Sequence, residues 1–344
     1  MRPRWLLPLA FSTLSLAQSF TIQNSNTTSD LRGLSAVSTR IAWASGTHGT
    51  YLRSLDGGET WIVGTVPGAE SLDFRDVEAF SADEAYLLAA GPGDQSRIYK
   101  TTNGGRNWTL QFTNQDPKGF YDCMAFWDPM HGIAVGDPVD GQFALVTTSD
   151  GGANWNLLPS VSRPRSLASE GAFAASGTCL SIQGNNVWLV TGGNAARVFR
   201  SNNRGSSWAA ADAPILHDSA AAGIFSISLH GPQYGLIAGG DYQHPDREGP
   251  TLAYTEDGGL TWSASGIHPQ VYFSAVALDP QNGRQLLAAG STHVAYTEDV
   301  ANRDWNAYWD LGLNAVAYIG SAEALGVGPK GKIVRFKLLP SVTK

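Results

Sequence analysis

Four carboxylates, Asp122, Asp137, Glu170 and Asp241, and five arginines, Arg32, Arg75, Arg97, Arg197 and Arg247, are the side chains of this sequence best suited to chemistry. Two carboxylates about 5 to 10 Å apart would support glycoside hydrolysis, and a polysaccharide lyase would draw on the same groups. Arginines instead grip acidic groups of a partner through paired N–H donors. Asp76, Tyr121 and Asp140 stand near them as further polar binding candidates. No local spacing turns these residues into a catalytic motif, so their value depends on the elements that bring them together.

Those elements are announced by a repeated phrase, clearest in Ser54-Leu55-Asp56-Gly57-Gly58-Glu59-Thr60-Trp61. Variants run from Thr101 to Trp108, Thr148 to Trp155, Ser201 to Trp208 and Thr255 to Trp262, and a sixth, from Thr297 to Trp305, is one residue longer and lacks the glycine. The tryptophans stand 47, 47, 53, 54 and 43 residues apart, and a period of about 40 to 50 residues is that of a four-stranded propeller blade.

Within each period four short strand-like runs alternate with turn residues, as in Leu34 to Val37, Ile41 to Ser45, Tyr51 to Ser54 and Trp61 to Val63. After the sixth period the C-terminus supplies only three such runs. The missing fourth is available at Phe20 to Asn24, which matches Trp108 to Phe112 in its alternation. Pairing it into the last blade closes the ring and removes an open sheet edge. The expected fold is all-β: a seven-bladed β-propeller of four-stranded antiparallel blades, the last closed by the N-terminal strand.

The phrase itself reads as structural. Its Asp or Asn accepts N–H groups of its own turn, the Gly permits positive φ, and the Trp covers the hairpin base. One carboxylate per turn is too few for the 6–8 oxygens that calcium takes. These turns join third to fourth strands. Loops between second and third strands, and those entering the inner strands, gather on the opposite face. There they collect the arginines and carboxylates named above, with the longest insertions at residues 163–176 and 241–251.

Charged residues make up only 15% of the 344 residues, and the formal net charge is −7. That balance argues against nucleic acid, whose binding rests on phosphate neutralisation. Arg2, Arg4, the apolar stretch from Trp5 to Leu16 and the small residues at Ser15 to Ala17 read as a signal peptide over 1–17, leaving 18–344 as one propeller domain, periplasmic or secreted. No later stretch reaches the ~20 apolar residues of a membrane span. A monomer is expected.

Other chemical signals are weak. Gly326 to Gly331 matches a dinucleotide-binding pattern, but a strand-like run, not a helix, follows it. Scattered histidines assemble no zinc site, and no cofactor or metal is expected. Asn26 and Asn107 begin formal glycosylation sequons. Cys123 and Cys179 each precede a glycine, Gly136 and Gly192, by 13 residues, which places them equivalently on the inner strands of adjacent blades. Export favours a disulfide between them and the symmetry of their positions opposes it.

The phrase resembles the Asp-box, or BNR, repeat of sialidases, sortilin-type receptors and the photosystem II stability and assembly factor family. Leu31 to Val37, Ala42 to Gly46 and Ser54 to Trp61 are most similar to the last of these. The resemblance covers residues 20–338 and implies the propeller fold. It also implies a scaffold whose basic patch holds a client: a segment of an exported or membrane protein gripped by Arg32, Arg75, Arg97, Arg197 and Arg247. This chain departs from that pattern by mixing as many carboxylates into the same loops. The alternative is a glycan-acting enzyme using Asp122, Asp137, Glu170 or Asp241. Sialidase activity is disfavoured, because that family's Arg-Ile-Pro segment and a Tyr-Glu nucleophile pair are missing.

Overall fold

The computed structural model describes residues 18–338; the leader read at 1–17 lies outside them. Seven blades of four antiparallel strands form the ring, as the period requires. The inner strands of the seven blades are Leu31–Ala36, Phe74–Ala79, Tyr121–Asp128, Leu180–Gln183, Ala222–His230, Ala275–Leu278 and Ala315–Gly320. The last sheet is completed by Ser19–Gln23, antiparallel to Ile333–Lys337 with Phe20 opposite Phe336. The closing strand is therefore the one expected. Arg335 then ties the last blade to the first, its Nη1 lying 2.6 Å from Glu59 Oε1 and its Nη2 3.1 Å from Glu323 Oε2.

Second strands of the blades are covered on both faces by neighbouring sheets and read as unbroken apolar runs; all five residues of Ala85–Ala89 are buried. Outermost strands such as Ile62–Thr65 are largely exposed. The core consequently lies between blades, with Trp43 and Trp188 among its largest fully buried side chains.

The repeated phrase folds into the same turn five times. The Ser or Thr hydroxyl accepts the N–H of the second glycine, at 2.8 Å for Ser54 and Gly58 and 2.9 Å for Thr148 and Gly152. The Asp or Asn side-chain Oδ1 accepts the N–H four residues on, at 2.9 Å for Asp56 and Thr60 and 3.0 Å for Asp257 and Thr261. Gly58 has φ +85°, a conformation an L side chain resists. Hydrogen bonds from Thr261 hold the Asp257 carboxyl down at about 2. The turn also docks blades together: the Tyr51 hydroxyl donates to Gly105 O at 2.7 Å, Tyr86 to Gly151 O at 2.7 Å, and Trp188 Nε1 to Gly258 O at 2.8 Å. In the sixth copy, which lacks the glycine, Asn306 Oδ1 instead accepts from the Thr297 hydroxyl and the Glu298 N–H.

The insertion before blade four forms structure of its own. Glu170–Gly171 pairs with Gly192–Gly193, which bridges through Gly192 to Gly223 of blade five, so that blade five's sheet grows to six strands. Cys123 and Cys179 are disulfide-bonded with a Cα separation of 6.1 Å, joining blade three to the end of that insertion.

Candidate functional site

On the face opposite the repeated turns the inner strands begin with β-bulges. Register shifts fall between Leu31 and Gly33, Phe74 and Asp76, Tyr121 and Cys123, and Ile224 and Ser226. The extra residue in each case is Arg32, Arg75, Asp122 or Phe225, and a bulge re-aims its side chain out of the ladder. All four line one cavity of about 1100 Å³. Asn314, immediately before the inner strand of blade seven, lines it as well. A further bulge between Gly136 and Pro138 turns Asp137 toward the same space. One backbone device, repeated around the ring, thus populates the cavity.

The insertion supplies another wall. Phe173 stacks face to face on Phe225, with centroids 3.9 Å apart and planes 7° apart, and Tyr272 meets Phe225 edge-on at 5.0 Å. Tyr242 completes this aromatic side and is half exposed. The cavity is therefore two-sided, aromatic toward blades four to six and charged toward blades one to three.

The charged groups differ in how well they are matched. Arg32 has no carboxylate within ion-pair range among the described residues, and its Nε is enclosed without a partner. Arg75 is committed to Asp73 at 2.8 Å and to Ala174 O at 3.0 Å. Glu170 is buried and fully matched: Arg197 Nε donates to Oε1 at 2.9 Å, its Nη2 to Oε2, the Thr191 hydroxyl to Oε1 at 2.6 Å and Leu167 N to Oε2 at 2.8 Å. Asp122 is 1% exposed with Oδ2 unpartnered. Burial, and then the neighbouring charge of Asp137, push its carboxyl well above the usual range, with Arg75 opposing. Burial also raises Asp137, against the Ala172 N–H that donates to its Oδ1 at 3.1 Å.

Of the twelve binding residues read from the sequence, Arg32, Arg75, Asp122, Asp137 and Glu170 share the cavity. Arg197 stands behind Glu170, its guanidinium 4.6 Å over the Phe199 ring. Asp76 caps the Met124 N–H at 2.7 Å, and burial and Glu78 raise it well above the usual range. Tyr121 lines a separate recess of about 450 Å³ with Asp140, and Arg97 turns back on Asp94. Asp241 holds His244 at 3.1 Å, and Arg247 pairs with Asp218 at 2.9 and 2.6 Å, tying down the long loop of blade five. Phe173, Phe225, Tyr272, Lys118 and Asn314 were not singled out by sequence reasoning. Aligning the blades on the position held by Arg32, Arg75 and Asp122 would have found Phe225 and Asn314.

The fold and cavity define a seven-bladed β-propeller with a ligand-sized site at one mouth of its ring. No protein-family model and no curated protein sequence matches the chain. Among solved structures it is similar to YCF48 bound to a D1 peptide, at 15% identity and a TM-score of 0.64 over 94% of this chain and 97% of that one. YCF48 from Cyanidioschyzon merolae gives 18% identity and 0.64 over 92% and 98%. The WD40 domain of Neurospora crassa Pan2 gives 7% and 0.64 over 92% and 91%. At these identities the likeness is one of fold.

Proposed function

We propose that this chain is an exported binding scaffold that holds a segment of a protein partner in the cavity on its loop face. Arg32 carries the reading. A guanidinium that enters a cavity with its Nε enclosed and unpartnered, and with no carboxylate in ion-pair range among the described residues, is suited to an acidic group brought by a ligand. The aromatic side opposite offers the rigid apolar area enriched at protein interfaces. Two further observations support a polypeptide: the resemblance of the repeated phrase to that of assembly factors, and the D1 peptide bound by YCF48, which shares the fold. Export rests on Arg2, Arg4 and the apolar run that follows.

The test is capture of exported proteins from the native host with the wild-type chain and with Arg32→Glu as baits. A partner retained by the wild type and reduced at least about tenfold by the charge reversal is expected, since a lost charge-assisted pair changes affinity by that order. Identical capture by both baits would reject the reading. The glycan-acting alternative rests on Asp122 and Asp137, whose raised carboxyls suit proton transfer; Glu170 is held by Arg197 and Asp241 lies 3.8 Å from Arg247. Polysaccharide turnover abolished by Asp137→Asn would replace the scaffold reading.

A further inference from the structure

The three carboxylates that line the cavity are not equivalent. Glu170 has a cation, a hydroxyl and an amide. Asp122 and Asp137 have no cation within ion-pair range among the described residues, and the arginine nearest in charge to Asp122, Arg75, is already held by Asp73 and Ala174. The two acids stand on paired strands of blade three, where Tyr121 faces Gly136, and each sits at a bulge next to that rung. Asp122 is buried with Oδ2 unpartnered. Asp137 is the more open of the two, and it accepts from Ala172 N, the residue next to the Phe173 ring.

We propose that Asp137, backed by Asp122, is a subsite for an organic cation of the bound segment: a lysine or arginine side chain, or a free amino terminus. The inference rests on the scaffold reading above and names the ligand's second charge. Burial resists ionisation of both carboxyls, and at Asp122 the neighbouring charge of Asp137 adds to it with Arg75 opposing. A cation donating to Asp137 relieves this, and Phe173, the residue after Ala172, brings an aromatic ring into the same cavity. A metal ion fits poorly, because no group of three potential ligands exists among the described residues and hard cations need more oxygens than two acids provide. The ligand is thus mixed in charge, anionic toward Arg32 and cationic toward Asp137.

Three small probes separate these charges: phenylalaninamide carries an ammonium and no carboxylate, N-acetylphenylalanine the reverse, and N-acetylphenylalaninamide neither. Each is titrated calorimetrically into the full chain, the Asp137→Asn variant and the Arg32→Ala variant. Phenylalaninamide is expected to bind the wild type at least about tenfold more tightly than the neutral probe. That preference disappears in Asp137→Asn and survives in Arg32→Ala. An ammonium probe bound no better than the neutral one, or a preference that survives Asp137→Asn, overturns the subsite, and the wild-type comparison stands even if a variant does not fold. N-acetylphenylalanine binding that depends on Arg32 would in that event leave the scaffold reading intact. If neither charged probe is preferred, both fall.

Discussion

Phe173 lies flat on Phe225, 3.9 Å between ring centroids, so a residue of the insertion and a bulge residue of blade five form one wall. Two glycines make this possible: a Cβ at Gly192 would collide with Cε2 of Phe173, and one at Gly223 with the Cα of Gly192. Phe173→Ala is expected to cost about 1–2 kcal/mol, the lower range for loss of a partly exposed ring, and to weaken every ligand of the cavity. Gly192→Ala should weaken binding similarly while leaving Phe173 in place chemically. Urea denaturation beside ligand titration checks both, and unchanged binding in the two variants would remove the aromatic wall from the site.

Arg197 and Glu170 form an ion pair beneath the cavity, with side-chain exposures of 13% and 0%. Arg197→Met strands a buried carboxylate and should destabilise the chain by roughly 3–5 kcal/mol. Pairing it with Glu170→Gln should restore much of that, because the stranded charge is gone. A double-mutant cycle measures the coupling, and additive losses would show that the pair carries no interaction energy.

Asp122 gives the acid side of the cavity a definite sign. Its folded-state pKa is raised above the ordinary carboxylate value, so the native state holds a proton that the unfolded state releases. Stability linked to this group is present below the unfolded pKa, about 4, and is lost as pH rises through the folded pKa. The wild type should therefore lose stability relative to Asp122→Asn as pH increases above about 4. Denaturation midpoints of the two proteins across that range test it, and a constant difference would mean that Asp122 ionises normally.

The Cys123–Cys179 crosslink closes a loop over a sequence separation of 56, worth about 4 kcal/mol on chain-entropy grounds. Cys123→Ser with Cys179→Ser should lose stability of that order and raise amide exchange over residues 163–178, which carry Phe173 and Glu170. Intact mass after thiol alkylation of the denatured, unreduced protein should show no adduct; two adducts would mean that the bridge is absent.

Much of the architecture was legible from local spacing. The strand at Phe20 was assignable to the last blade because the C-terminus ran one strand short, and the structure pairs it with Ile333–Lys337. The scaffold role of the repeated aspartates was readable for the same reason: each turn's hydrogen-bond partners lie within four residues. The site was only partly legible. Arg97 and Arg32 look alike in sequence, yet one folds back on Asp94 and the other enters the cavity unpaired. Asp241 ends the second strand of blade five and Asp137 lies near the end of the second strand of blade three, yet one is held by His244 and the other lines the cavity. The two cysteines admitted either redox state until the 6.1 Å Cα separation put them within bonding reach.

By itself the sequence determined the period and which face carries the repeated turns, since these follow from hydroxyl, carboxylate, glycine and tryptophan partners a few residues apart, and it gave the blade number and the closure through a count of strand-like runs that leaves the last blade one strand short without Phe20. The tertiary structure decided which side chains share the cavity. That outcome depends on single-residue bulges, which reverse a side chain's direction without altering the strand's composition, and on an insertion whose seat is set by contacts with blade five. It also decided which charges remain uncompensated, because that depends on partners brought together from separate blades.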